Sequence, residues 1–346
     1  MRPASADFLD LARRLTKRQL MTAAALPPRE NLKLLFAHSA YDMKALFDAK
    51  REGINTIQAA NYDDLKAKLP EVDVLVVSGL WKNELLQHAP RLKYLQSISA
   101  GTNQYDLETF KKRGIVLASA QGVNRNAVSE HAIGLLLSLT RRLALARDNQ
   151  HQRYWRPDQR NPADRESELP GKTLLLVGLG GIGGRIARLA RAFDMHVVGV
   201  RRNVEAGPGE ANEVHSFKEI MGLIPRADVV VLSCPLTDET RNLIDRQAIA
   251  AFKRTAFLIN VARGACVDES ALVDALEEGR IAGAALDVLQ PEPPVKESKL
   301  WTLPTVILTP HSAGETTQYE QNVFSILTRN LEKIWKGDLN LVNRVA

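Results

Sequence analysis

Lys172-Thr-Leu-Leu-Leu-Val177-Gly178-Leu-Gly180-Gly-Ile-Gly183-Gly-Arg-Ile-Ala-Arg-Leu-Ala-Arg191-Ala-Phe-Asp-Met-His196-Val-Val-Gly-Val200-Arg201-Arg202 is the stretch that decides the fold. The apolar run Thr173–Val177 is strand-like. A glycine-rich turn follows, then a helix of about ten residues, then a second strand at His196–Val200. A glycine pattern in that setting marks a dinucleotide-binding βαβ unit. Gly178 permits the tight turn, Gly180 lets a pyrophosphate approach the backbone, and Gly183 lets helix and strand pack closely. About 20 residues beyond such glycines an acid ordinarily accepts the ribose 2′-hydroxyl of NAD. Here Arg201 and Arg202 occupy that place. Guanidinium groups cannot accept a hydroxyl proton, but they suit a 2′-phosphate, so the doublet points to NADP(H). A basic strand end that is merely solvated is the alternative for these two residues.

The chain as a whole sets wider bounds. Its 346 residues are too many for one typical domain and suit two. The formal net charge of +6 raises nucleic acid as a partner, but the bases are interspersed with acids and aromatic residues are only 5%. Steering of an anionic cofactor and an anionic substrate accounts for the charge better. The two cysteines, Cys234 and Cys266, form neither a disulfide framework nor a metal-binding spacing, so a reducing, cytoplasmic setting and no metal are expected. No run of 18 apolar residues is present, which argues against a membrane span. Residues 1–15 make a poor signal peptide and fit a short amphipathic helix, joined through a linker at 23–28.

Outward from the glycine turn, strands alternate with helices. Residues 32–37, 55–58, 72–77, 94–98 and 115–118 are strand candidates, with helices expected over 41–50, 63–69, near 83–88 and near 105–111. That rhythm predicts a parallel sheet in a first α/β domain. Residues 127–149 are expected to form one long helix, basic toward its end, and 154–170 a polar loop. Beyond the glycine unit, 229–232, 256–260, 281–287 and 306–309 are further buried strands, and 317–335 carries apolar residues at helical spacing.

Three residues fall in loops beyond strands of the second half: Arg263, Glu292 and His311. In a parallel sheet, ligands sit outside the carboxyl ends of the strands. Arginine offers a planar two-pronged donor to a carboxylate, and histidine exchanges protons near neutrality. A carboxylate beside the imidazole fixes its tautomer and favours its protonated form. The set describes reduction of a 2-keto acid: clamp the acid, protonate the carbonyl oxygen, and present the carbon to a hydride. Taken singly, Arg263 also fits a turn-holding role, Glu292 a solvated loop, and His311 a structural histidine.

Over residues 32–346 the chain resembles the D-isomer-specific 2-hydroxyacid dehydrogenase family, including its NADP-preferring glyoxylate/hydroxypyruvate reductases. The phrases that carry the resemblance are Gly178-Leu-Gly-Gly-Ile-Gly183, Cys234-Pro-Leu-Thr-Asp-Glu-Thr240 and Leu258-Ile-Asn-Val-Ala-Arg-Gly-Ala-Cys-Val-Asp-Glu269, followed by Ala284-Ala-Leu-Asp-Val288 and Thr309-Pro-His-Ser-Ala-Gly314. Five separated motifs in the right order make the signal specific.

The resemblance implies two Rossmann-like parallel-sheet domains. One is a flavodoxin-like substrate domain, discontinuous over 1–120 and 312–346. The other is a dinucleotide-binding domain over 121–311, with hinges near 120 and 312. It further implies that Arg263 binds the substrate carboxylate and carbonyl oxygen, and that Glu292 and His311 form the proton relay. Backbone amides around Ala100, Gly101 and Thr102 would hold the carboxylate, and Leu80 and Trp81 lie in what resembles the substrate-selectivity loop. For Trp81, packing is the competing reading; Trp301 stands between pocket wall and packing. The cofactor would meet Gly178, Gly180, Gly181, Ile182 and Gly183, with Arg201 and Arg202 at the ribose. Cys234, Pro235, Thr240, Val261 and Ala262 would complete its site, and Asp287 would lie near the nicotinamide carboxamide.

Family members are typically dimers, and 127–149 resembles the helix that contributes to the interface. NADPH-preferring reduction of small 2-keto acids is the leading expectation. The alternatives are an NAD-linked enzyme for a larger apolar acid and a nicotinamide-sensing corepressor-like binding protein. Formate dehydrogenases carry Gln where Glu292 stands, whereas phosphite oxidation shares much of the constellation.

Overall fold

The structure is a computed structural model that describes residues 25–49 and 53–346; the amphipathic helix expected within residues 1–15 lies outside them. The chain divides into two compact units. The first ends at Val123 and resumes at Thr317, and the second runs Asn124–Thr316.

The first unit holds a five-stranded sheet of β1 (Lys33–Ala37), β2 (Asn55–Ala59), β3 (Val74–Val77), β4 (Tyr94–Ser97) and β5 (Val116–Ala118). All pairings are parallel and the order is β2-β1-β3-β4-β5. β3 and β4 are buried at every position, as strands covered on both faces must be. Three helices follow strands here: α1 (Met43–Asp48), α2 (Tyr62–Lys68) and α3 (Leu107–Arg113). Asp42, Asn61 and Asp106 each accept a backbone N–H from the following first turn, which sets where these helices begin.

The second unit opens with α4 (Arg125–Thr140) and α5 (Leu143–His151). One continuous helix was the expectation over this span. Instead Arg142 adopts a left-handed conformation (φ 52°), and the Thr140 carbonyl accepts Ser167 N–H in place of a further helical turn. Then come β6 (Thr173–Val177), α6 (Gly181–Arg191), β7 (His196–Val200), β8 (Glu213–His215), α7 (Ile220–Leu223), β9 (Val229–Leu232) and α8 (Arg246–Ala250). β10 (Phe257–Asn260), α9 (Glu269–Glu277), β11 (Gly283–Leu286) and β12 (Val306–Leu308) complete the unit. The seven strands are parallel in the order β12-β11-β10-β9-β6-β7-β8. The order reverses between β6 and β9, the switch point at which such sheets bind ligands. β8 was not expected: Glu213-Val-His215 is a half-exposed edge strand with no apolar run to announce it.

The last helix, α10 (Tyr319–Trp335), belongs to the first unit. Phe324 packs its ring on Phe36 and Phe47, with centroids 5.7 and 5.3 Å away. Burying each such ring is worth about 1.5–3 kcal/mol, which ties a distant stretch of sequence to this core. The chain re-enters at Thr317 and not at the expected 312, because Ser312 and Ala313 N–H groups are bonded to the Asp287 carboxylate of the second unit. Among the described residues no helix is long and apolar enough to cross a membrane.

Candidate active site

The glycine turn sits at the carboxyl end of β6 and folds onto the end of β9. Gly178 has φ +102°, and a Cβ there would lie 2.7 Å from the Cys234 nitrogen. A Cβ on Gly183 would lie 1.9 Å from the Gly178 carbonyl oxygen. Any side chain at either place would force strand and helix apart. Above Gly180, by contrast, a Cβ would meet nothing within 4 Å, so the backbone is open to approach. α6 begins there with no side-chain cap and no acid in its first turn. Its first N–H groups and Ile182 are left to an anion, so the residues present fit a dinucleotide pyrophosphate.

At the end of β7, Arg201 donates its backbone N–H to His215 O (3.0 Å), and its guanidinium reaches Gly207 O at 3.4 Å. Arg202 is 74% exposed, with Nε 3.7 Å from the Glu239 carboxylate. Glu239 belongs to the loop after β9, where Pro235 is exposed and Cys234, like Cys266, is a buried free thiol. The Thr240 hydroxyl is buried, donates to Pro235 O (2.7 Å) and accepts Thr237 N–H (2.8 Å). These two bonds close the loop.

Arg263, Glu292 and His311 are brought together by backbone packing. Beyond β10, the Asn260 side chain donates to Arg263 O (3.0 Å) and accepts Ala262 N–H (3.0 Å), fixing the turn at Val261–Arg263. The next residue must be glycine, since a Cβ on Gly264 would lie 2.1 Å from the Leu289 carbonyl. That contact sets the arginine turn against the loop of Glu292. Leu289 N–H donates to Glu292 Oε1 (2.9 Å), and Oε2 lies 2.8 Å from His311 Nδ1. Burial opposes ionisation of Glu292, but the hydrogen bonds from His311 and Leu289 and the charges of His311 and Arg263 outweigh it and hold the carboxyl below its usual value. An ionised carboxylate only accepts, so Nδ1 is the donor and Nε2 is left for chemistry. Arg263 itself is exposed, with Nη1 on Ala262 O (2.6 Å).

His311 holds a left-handed φ of 54°, unusual for a residue with a side chain. Asp287 stabilises it. The Asp287 carbonyl accepts His311 N–H (2.9 Å), and its buried carboxylate accepts Thr309 Oγ1 (2.6 Å), Ser312 N–H (2.9 Å) and Ala313 N–H. Both carboxylate oxygens thus bond the histidine loop. A cavity of about 420 Å³ adjoins this group, lined by Leu289, Glu292, Pro293, Trp301, Leu308 and His311. Trp301 is half-exposed at its wall and donates its indole N–H to Val295 O (3.1 Å).

The remaining expected residues lie in the first unit. Ala100, Gly101 and Thr102 form an open turn after β4 whose backbone N–H groups donate to no partner among the described residues. Leu80 is half-buried after β3. Trp81 is 5% exposed, packs against Tyr105 and Phe110 at 5.7 Å, and donates to Asn83 Oδ1. An indole so placed agrees with the packing alternative. Two residues went unexpected. Asn260 is a polar residue ending an apolar strand, a signal visible in the sequence. His131 on α4 lies 3.0 Å from Thr309 Oγ1 and 3.6 Å from Asp287, and no local pattern marks it.

Residues 133–313 match the family model described as D-isomer specific 2-hydroxyacid dehydrogenase, NAD binding domain. The glyoxylate reductase of Thermofilum pendens is 37% identical over 269 residues, 75% of this chain and 78% of that one. The D-3-phosphoglycerate dehydrogenase of Methanocaldococcus jannaschii is 35% identical over 81% of this chain, but the match spans only 53% of that longer protein. Among solved structures, the NADPH-dependent glyoxylate/hydroxypyruvate reductase of Sinorhizobium meliloti, determined with citrate, is 28% identical with a TM-score of 0.75, covering 91% of this chain and 98% of that one.

Proposed function

The chain belongs to the D-isomer specific 2-hydroxyacid dehydrogenase family, and on that footing we propose that it reduces small 2-keto acids such as glyoxylate or hydroxypyruvate to D-2-hydroxy acids, with NADPH preferred over NADH. The observation that carries the reading is the grouping of Arg263, Glu292 and His311 on loops of the same sheet that bears the glycine turn. Arg263 holds the substrate carboxylate and carbonyl oxygen in a fixed fork. His311 gives the proton on Nε2 to the carbonyl oxygen, and Glu292 orients the ring through Nδ1 and stabilises the imidazolium before that proton leaves. The bound nicotinamide supplies the hydride. The open backbone of Ala100–Thr102 is assigned to the substrate carboxylate, and the first unit to substrate binding.

The cofactor preference is supported by Arg201 and Arg202 and by the lack of a carboxylate at the end of β7. A homodimer is the proposed assembly, and two free, buried cysteines suit a reducing cytoplasm.

A panel of glyoxylate, hydroxypyruvate and larger apolar keto acids, assayed with NADPH and NADH in parallel, tests the reading, with 3-phosphoglycerate added in the oxidising direction. Arg201→Asp with Arg202→Ala should lower kcat/KM for NADPH about 10- to 100-fold, the scale of lost charge-assisted hydrogen bonds, while NADH use holds or rises. A parent that uses NADH at least as well as NADPH removes the proposed role of the arginines. A parent with no turnover of any acid leaves a binding protein.

A further inference from the structure

We propose that Arg125, the first residue of α4, is a second-helix ligand of the cofactor pyrophosphate. This rests on the dinucleotide reading above and adds to it a residue outside the glycine turn. A Cβ on Gly181, at the start of α6, would lie 3.6 Å from Arg125 Cδ, so the arginine stem lies across the first residue of that helix. The guanidinium begins at the next atom. Arg125 is exposed and has no ion-pair or hydrogen-bond partner among the described residues.

A second cation on these helices, Arg185, is already committed. Arg185, one turn along α6, is paired at 2.7 Å with Glu130 of α4, and its buried Nε has no partner. The contacts Arg125–Gly181 and Glu130–Arg185 run in the same direction along both helices, so the two amino-terminal ends lie side by side. Neither α4 nor α6 has a side-chain cap or an acid in its first turn. Two uncompensated helix dipoles and one free guanidinium therefore converge where the glycine turn leaves its backbone open. A diphosphate has the charge and the acceptor oxygens to satisfy them together. The role concerns the part shared by NADPH and NADH, so Arg125 governs affinity for both, whereas Arg201 and Arg202 govern the choice between them.

Equilibrium titrations of NADPH and NADH by nicotinamide fluorescence, with ADP-ribose as competitor, test this on the full-length chain. Arg125→Ala should weaken all three about 10- to 100-fold, leave the NADPH-to-NADH affinity ratio unchanged, and flatten the salt dependence of binding. Arg125→Lys should recover most of the loss, because a point charge still serves a phosphate. Arg125→Gln keeps a stem over Gly181 without the charge, so it should bind as poorly as the alanine variant, with a melting curve like the parent's. Binding by the glutamine variant within twofold of the parent overturns the assignment, since packing alone would then be at work. A parent that binds neither NADPH nor NADH overturns the cofactor reading itself.

Discussion

A single hydrogen bond, Glu292 Oε2 to His311 Nδ1, determines what the candidate site can do. It spends one ring nitrogen on orientation and leaves the other for proton transfer. His311→Ala should lower keto-acid reduction about 10²–10⁴-fold, the usual scale of general acid catalysis, with NADPH affinity nearly unchanged. Glu292→Gln tests the same pair through pH. With its value held below the ordinary one, the Glu292 carboxyl should give the parent an acid limb below the ordinary carboxylate value, where its protonation removes the acceptor for Nδ1, and the amide variant should lack that limb. Across the neutral region parent and variant differ by a full charge beside the ring, so their activities should differ there as well. Steady-state profiles of kcat/KM check both, and a His311→Ala variant active as the parent at every pH would remove the relay. Arg263, Glu292 and His311 were legible as candidates because each stands in a loop after a strand. Trp81 stood open between two readings because a Leu-Trp pair reads alike whether the indole faces a ligand or Tyr105 and Phe110.

At the scale of elements, the apolar strands declared themselves and the edge strand β8 did not. A central parallel strand must be apolar on both faces, which sequence shows directly. β8 is held instead by charges. Glu213 accepts bonds from His196 (2.6 Å), His215 (3.1 Å) and Arg226 (2.6 Å), and His215 also bonds Glu219 (2.9 Å). The Arg226 bond above all, with those from the two histidines, holds the Glu213 carboxyl down at about 2. Hydrogen bonds to Glu219 and Glu213 raise the His215 imidazole above its ordinary value. A lowered carboxylate contributes stability that is complete above its ordinary value of 4.5 and is lost as pH falls from there toward 2. The raised histidine contributes below 6.5 and loses its share as pH rises through its folded value. Glu213→Gln should therefore melt below the parent at pH 5–6, by a few degrees at most for so exposed a network, with the gap closing as pH falls below 4.5. A gap that widens with acid would show that the network opposes folding. Sequence also read α4 and α5 as one helix, since nothing local required the left-handed turn at Arg142; the bond between Ser167 N–H and Thr140 O, 27 residues apart, accompanies it.

For the whole molecule, α5 and the loop after it carry the next question. None of the residues of α5 is buried. Leu143 and Tyr154 are half-exposed, and Trp155 is 95% exposed. Apolar surface of this kind marks a protein contact, and a second copy of the chain is the occupant that the proposed dimer supplies. Light scattering should give twice the chain mass for the parent, and Leu143→Asp with Trp155→Asp should give the single-chain mass with an unchanged fold. A monomeric parent at tens of micromolar, or a double variant still dimeric, would refute it. The buried strands of both sheets, the glycine turn and the candidacy of the three chemical residues follow from local pattern and spacing, because period, turn chemistry and motif are properties of short stretches. What joins distant stretches was decided by tertiary structure. α10 returns to the first unit because Phe324 packs against the Phe36–Phe47 ring pair, and the chain crosses at Thr316–Thr317 because Asp287 holds Ser312 and Ala313. His131 becomes part of the site only through Thr309, 178 residues away. Such contacts depend on shape and on which donor meets which acceptor, and neither is written in the periodicity of one segment.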